Sequence, residues 1–196
     1  DSSGMAVSVT TTLNSGYGSK VVIDDAGFFM NNEMNDFVLK PGVPNIYGLS
    51  GTERNLVAPD RRMVSSMSPT IVEDPQGRPF LVIGAPGGST IITTTFQVIM
   101  NVIDHGMDIE RAIAAGRIHH QWKPRALSYE ENTLPRDVVW NLRARGWPVT
   151  MGVYGDLPRW GRAQGLRIKH PDSRRGPART FYGGSDPRGT GAAVGF

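Results

Sequence analysis

The segment Asn31-Asn-Glu-Met-Asn-Asp36 packs two carboxylates and three carboxamides into six residues. Glu33 and Asp36, three residues apart, could hold an ammonium group whose remaining hydrogen bonds the carboxamides complete. A polar turn uses the same residue types. A second candidate is Gly84-Ala-Pro-Gly-Gly-Ser-Thr90, which joins an apolar run to a helical one. Gly87 and Gly88 at a helix start let backbone N–H groups approach a ligand closely, and the helix dipole favours negative charge there. That pair could form an oxyanion hole, or a tight turn that needs positive φ. The segment lacks the lysine a phosphate loop requires, which argues against a nucleotide site. Ser65-Ser66, ahead of Met67-Ser-Pro69, is a hydroxyl-rich entry to a strand of the kind turn chemistry produces. The four histidines have no metal-ligand spacing, and no Gly-x-Ser-x-Gly nucleophile elbow occurs.

The elements that must position these groups follow from periodicity and punctuation. Val- and Thr-rich Ala6 to Asn14 predicts a strand, followed by a turn at Asn14 to Gly18 and short strands at Val21 to Ile23 and Phe28 to Met30. Residues 31 to 62 show no clear period and read as a long loop of the kind that is either functional or disordered. Pro69 to Val72 and Phe80 to Ile83 flank Asp74-Pro-Gln-Gly77 and predict a hairpin. Helices are predicted over Ile91 to Asp104, over Asp108 to about Ile118, and from a Thr133 cap to Gly146 with Leu134, Val138 and Leu142 on one face. Strands at Val149 to Val153, Gly165 to Ile168 and Thr180 to Gly183 complete the pattern, the last two joined by a polar turn at His170 to Pro177. Strands cluster at both ends with helices between, so the expected fold class is α+β.

Composition narrows the chemistry further. A chain of 196 residues is long enough for one domain with a substantial core, so residues 1–196 are expected to form a single domain. The absence of cysteine removes disulfides, thiolate metal sites, iron–sulfur clusters and a cysteine nucleophile. No apolar stretch is long enough to span a bilayer. The charge is uneven: residues 1–135 hold 10 basic and 14 acidic side chains, 10 − 14 = −4, and residues 136–196 hold 11 and 4, 11 − 4 = +7. The basic residues are scattered and not interleaved with aromatics, so a solvated face is favoured over a nucleic-acid site. Asp1-Ser-Ser-Gly has no initiator methionine, and the chain reads as a fragment or a processed product.

Seven segments, taken in order, resemble the small subunit of the gamma-glutamyltransferases (glutathione hydrolases). They are Ala6 to Asn14, Gly27 to Phe37, Lys40 to Gly48, Ser65 to Ile71, Gly84 to Ile92, Arg117-Ile-His-His-Gln-Trp122 and Gly184-Ser-Asp-Pro-Arg188. The resemblance implies an N-terminal nucleophile hydrolase fold, a four-layer αββα sandwich completed by a large subunit cut from the same precursor. It implies a threonine that attacks gamma-glutamyl amides such as glutathione, forms an acyl-enzyme, and passes the glutamyl group to water or an amine acceptor. No cofactor is implied. Thr12 matches the residue that orients the nucleophile; Asn14, Glu33 and Asp36 match the holders of the substrate α-ammonium. Ser65 and Ser66 match binders of the α-carboxylate, Gly87 and Gly88 the oxyanion hole, and Tyr47 the lid loop that walls the cleft. In the family the small subunit begins with its nucleophilic threonine a few residues before the position of Asp1, so the nucleophile is expected ahead of this chain. The precursor's signal peptide, on the large-subunit side, implies a periplasmic or secreted enzyme. Two other functions stay open at this point: a glutaryl-cephalosporin acylase or poly-gamma-glutamate transpeptidase on the same fold, and a non-catalytic module that binds a partner.

Overall fold

A computed structural model describes residues 1, 3–152, 160–171 and 179–195. In chain order the elements are β1 (Val22–Ile23), β2 (Phe28–Phe29), β3 (Thr70–Glu73), β4 (Pro79–Gly84), α1 (Thr90–Ile103), α2 (Ile109–Ala114), β5 (Ile118–His119), β6 (Leu127–Tyr129), α3 (Arg136–Ala144), β7 (Val149–Met151), β8 (Gln164–Lys169) and β9 (Thr180–Ser185). Short 3₁₀ turns cover Glu33–Asp36 and Glu53–Asn55. Sheets and helices are mixed as expected for an α+β chain, and they fall into two compact units.

The first unit comprises Asp1–Thr10, Met67–Arg117 and Trp160–Phe196. Its centre is an antiparallel sheet of order β3-β4-β8-β9. The predicted hairpin is present, with Ile71 opposite Val82 and Val72 opposite Leu81. It forms where the sequence places it because Asp74 Oδ1 accepts from the N–H groups of Gln76 and Arg78, at 3.0 and 2.9 Å, and Gly77 turns the chain at φ 72°. Leu81 and Ile83 pack against Val98 and Val102 of α1 and Ile109 and Ile113 of α2. Each such side chain contributes about 1.5–3 kcal/mol on burial. Gly165 and Gly184 face each other across β8 and β9. A Cβ on either would lie 2.9 Å from an isoleucine methyl of α2, so this glycine pair is what lets α2 lie directly on the sheet.

The second unit comprises Thr11–Ser66 and Ile118–Arg159. It holds the β1-β2 ribbon, with Val22 opposite Phe29, and a three-stranded sheet of order β5-β6-β7. β6 and β7 are parallel and α3 provides the crossover between them. Phe37, Val38, Tyr47, Ala126, Val139 and Val149 are its buried apolar side chains. Gln121 Nε2 donates to the Tyr47 carbonyl at 3.1 Å, which ties the 118–159 segment to the long loop.

Four local expectations are corrected. Ala6 to Asn14 carries no strand assignment. Its hold on β4 is a side-chain bond, Ser8 Oγ to the Ile83 carbonyl at 2.7 Å, and Met5, Val7 and Val9 stay 67–72% exposed. α2 ends at Ala114 and does not reach Ile118, because Ala115 turns extended at ψ 144°. α3 starts after Pro135 and is not capped by Thr133, whose N–H closes a separate turn onto the Glu130 carbonyl. The 31–62 segment is not irregular throughout, since it contains both 3₁₀ turns. Val153 and residues 172–177 of the expected polar turn lie outside the described residues.

Candidate active site

Seven of the nine residues singled out in the sequence lie in the second unit, and five of them, Thr12, Asn14, Glu33, Asp36 and Tyr47, meet there. The Glu33–Asp36 turn brings the two carboxyl groups together one 3₁₀ turn apart, with the Thr12 hydroxyl near enough to Glu33 to favour its charged form. The turn starts where it does because Asn31 Oδ1 accepts the Glu33 N–H at 3.0 Å. Burial, and after it the charge of Asp36, pushes the Glu33 carboxyl above the usual range. Burial raises Asp36 as well, against a smaller opposing effect of its contact with Glu33. One Glu33 oxygen, Oε1, is buried and has no hydrogen-bond partner among the described residues. Two partly desolvated carboxyls with an unmatched acceptor oxygen suit a cation that can also donate hydrogen bonds.

Asn14 stands beside this pair in a left-handed conformation, φ 75°. Three contacts hold it there. Its N–H reaches Thr12 Oγ1 at 2.8 Å, its Nδ2 donates to the Asn32 carbonyl at 3.0 Å, and its carbonyl accepts the Tyr47 hydroxyl at 2.7 Å. Asparagine is among the few residues that tolerate this backbone. Tyr47 is 7% exposed, with its hydroxyl spent on that bond, and burial followed by the charges of Asp36 and Glu33 raises its pKa. It therefore braces Asn14.

Ser65 is exposed and Ser66 half-buried. Asn55 ties their segment to the acid pair: its Nδ2 donates to the Asp36 carbonyl at 2.7 Å, and its Oδ1 accepts the Val64 N–H at 3.3 Å. Asn55 was not anticipated. Asn32, whose carboxamide bonds Ser15 twice, at 2.8 and 3.0 Å, lies in the flagged run, whereas nothing local marks Asn55.

Gly87 and Gly88 belong to the first unit, between β4 and α1. Both have positive φ, 146° and 57°. A Cβ on Gly87 would lie 2.6 Å from Thr90 Oγ1 and 2.7 Å from Gly161 Cα, so no side chain fits. The turn precedes a helix of 14 residues, and among the described residues the Gly87 N–H donates to no acceptor. An N–H of that kind at a positive helix end suits a developing oxyanion. Arg117 and Asp186, to which the sequence assigns no role, form a buried ion pair at 2.6 Å in this unit. A lone arginine in the otherwise apolar run Ala112-Ile-Ala-Ala-Gly-Arg-Ile118 was the one local signal.

The raised Glu33 pKa makes a stability prediction. A carboxyl raised on folding costs nothing below its ordinary pKa, and its stabilisation of the protonated fold is lost as pH rises through the folded value. Glu33→Gln, which cannot ionise, is therefore expected to raise the melting temperature of the ligand-free protein at neutral pH, with the gain vanishing below about pH 4. Thermal melts across pH check this, and a pH-independent difference would contradict the ionised, desolvated state of Glu33.

The sheet-and-helix pattern, with a strand-to-helix glycine turn and a paired-acid loop, defines an α+β chain of the N-terminal nucleophile hydrolase fold. The chain belongs to the gamma-glutamyltranspeptidase family, whose model matches residues 1–196. It is 44% identical over 188 residues to the glutathione hydrolase proenzyme of Escherichia coli, covering 96% of this chain and 30% of that protein. Among solved structures it superimposes on a Helicobacter pylori gamma-glutamyltranspeptidase mutant with TM-score 0.87 at 46% identity, covering 96% of both chains. The Pseudomonas nitroreducens gamma-glutamyltranspeptidase complexed with L-DON gives TM-score 0.86 at 40% identity, covering 100% of this chain and 96% of that one. The chain spans about a third of the length of the curated relatives it matches.

Proposed function

We propose that this chain is the catalytic small subunit of a gamma-glutamyl hydrolase and transpeptidase, acting on glutathione and related gamma-glutamyl amides. The observation that carries this is the Glu33–Asp36 pair, two carboxyls held partly desolvated against each other with an unmatched Glu33 oxygen. A gamma-glutamyl group presents an α-ammonium at one end and the scissile amide at the other, and an ammonium relieves the like-charge cost of that pair. Asn14 adds a carboxamide to the same cation, and Ser65 and Ser66 donate hydroxyls to the α-carboxylate.

In this reading the attacking hydroxyl belongs to the amino-terminal threonine of the mature subunit, ahead of Asp1, and Thr12 orients it. The threonine oxygen bonds to the gamma-carbonyl carbon and its proton passes to the threonine's own amine. The carbonyl electrons move onto oxygen, facing the N–H groups of Gly87 and Gly88. Collapse breaks the C–N bond, the proton goes to the leaving amine, and an ester remains. Water or an amine acceptor then takes the acyl group by the reverse steps. The stripe of exposed Met5, Val7 and Val9, alternating with half-buried Ala6, Ser8 and Thr10, supports a second chain, the large subunit, completing a four-layer sandwich. Among the described residues no helix is long and apolar enough to cross a membrane. We place the enzyme in the periplasm or outside the cell, on the family resemblance.

The two-subunit protein is expected to release glutamate from glutathione and from a chromogenic gamma-glutamyl anilide, and to act far more slowly on a glutaryl amide, which lacks the ammonium. Equal rates on both amides would favour an acylase. No release from either, with a native amino terminus shown by intact mass, would favour a module that only binds a partner.

A further inference from the structure

The carbonyl and the N–H of one peptide bond lie in a single rigid plane and point in opposite directions. Fixing a carbonyl therefore aims the N–H of the next residue. The plane that carries the Gly87 N–H also carries the Pro86 carbonyl, which accepts the Arg162 N–H at 3.1 Å. The plane that carries the Gly88 N–H also carries the Gly87 carbonyl, which accepts the Thr90 hydroxyl at 2.7 Å and the Thr90 N–H at 3.1 Å. Each of the two donor planes is pinned from its far side, one by the helix and one by the segment leading into β8.

That second pin is itself anchored. Arg117 Nη1 donates to the Gly161 carbonyl, and Arg117 Nη2 donates to Asp186 Oδ2 at 2.6 Å and to the Ile113 carbonyl at 2.8 Å. Asp186 Oδ2 also accepts the Ala163 N–H at 2.7 Å. The residues on both sides of Arg162 are thus tied to one ion pair, in which Arg117 is 2% and Asp186 0% exposed by side chain. Burial opposes the Asp186 charge, but the Arg188 N–H and then Arg117 outweigh it and hold the carboxyl below the usual range. Gly161 is wedged against α1, where an added Cβ would lie 2.3 Å from Thr94 Oγ1 and 2.8 Å from Thr94 Cβ.

We propose that residues Gly161–Ala163, clamped by the buried Arg117–Asp186 pair, are a brace that aims the Gly87 N–H, making Arg117 and Gly161 positioning residues for the reaction. This rests on the oxyanion role given above to the Gly87–Gly88 turn. A brace of this kind acts on the transition state, where the donor must meet a charge that the ground-state carbonyl lacks.

Gly161→Ala in the two-subunit enzyme is the test. Its methyl collides with Thr94 and shifts the brace. The expected result is a fall in kcat of about 10²-fold per titrated active site, the size of effect that roughly 1 Å of misplacement produces, with KM changed by less than about twofold. Adding Thr94→Ala makes room for the methyl and is expected to restore at least about tenfold of that loss. Faster amide hydrogen exchange at Arg162, Thr90 and Ile91, whose N–H groups bond to the carbonyls of the turn, should accompany the loss. Arg117→Lys is the second variant, since one ammonium cannot reach Gly161, Ile113 and Asp186 together. A merely structural role would reduce the fraction of active enzyme and leave kcat per titrated site unchanged, and that result in either folded variant overturns the brace. Failure of the unsubstituted enzyme to turn over gamma-glutamyl amides would overturn the proposed function. The brace would then be judged on hydrogen exchange alone, where unchanged protection in Gly161→Ala sinks it.

Discussion

Gly87→Ala is expected to lower kcat for a gamma-glutamyl anilide by about 10²- to 10³-fold, the usual cost of losing one oxyanion donor. Two independent features make the substitution severe. The backbone sits at φ 146°, outside the range an L side chain readily adopts, and the new methyl would meet Thr90 Oγ1 at 2.6 Å and Gly161 Cα at 2.7 Å. Neither neighbour can yield easily, because one is the first residue of α1 and the other is backbone. The chain can escape only by rotating the peptide planes on either side, which are the planes that carry the donors. KM should move much less than kcat, since the ground-state carbonyl makes little use of the site. Steady-state kinetics on enzyme counted by active-site titration provide the measurement. A kcat within about twofold of the unsubstituted value would remove the turn from the mechanism.

Asp36→Ala addresses recognition. Truncating one partner of a hydrogen-bonded charge pair costs about 2–5 kcal/mol, or roughly 30-fold to several thousand-fold in kcat/KM. The loss should fall on gamma-glutamyl amides alone. A glutaryl amide has no ammonium for Asp36 to meet, so the ratio of the two kcat/KM values should collapse toward unity. Equal losses on both substrates would mean that Asp36 supports the fold of the loop and not the recognition of a cation. The backbone of Asp36 is separately held by Asn55 at 2.7 Å, so removing its side chain leaves the anchor of the turn intact. Full activity in this variant would remove the proposed ammonium site.

Legibility in the sequence tracked the distance over which each contact acts. The β3-β4 hairpin was readable because Asp74 and Gly77 shape the turn within four residues. α1 was readable because its apolar period and the flanking glycines lie in one window. The start of α3 was misplaced because Thr133 is a good cap by type, while Pro135, two residues on, dictates where helical backbone begins. Ala6 to Asn14 has the composition of a strand, but a strand also needs a ladder partner, which composition does not supply. At the site, Glu33 and Asp36 stood out from their spacing alone. Thr12, Asn14 and Tyr47 did not, since a threonine in a Thr-rich run and a tyrosine in a loop are ordinary; only the family resemblance drew them in. Asn55 and the pairing of Arg117 with Asp186 escaped entirely, because each works through partners 9 to 69 residues away.

That last separation bears on biosynthesis. Arg117 is delivered by the ribosome well before Asp186, and until the later residue arrives its guanidinium has no counter-charge to carry it out of water. The segment around Gly161 cannot lock while Arg117 stays solvated, and neither can the peptide planes it holds. The acid pair at Glu33 and Asp36, built from contacts within residues 12–64, has no such delay. A chain interrupted short of Asp186 would keep every residue that ties down the acid pair and lack the ion pair that holds the Gly161 segment.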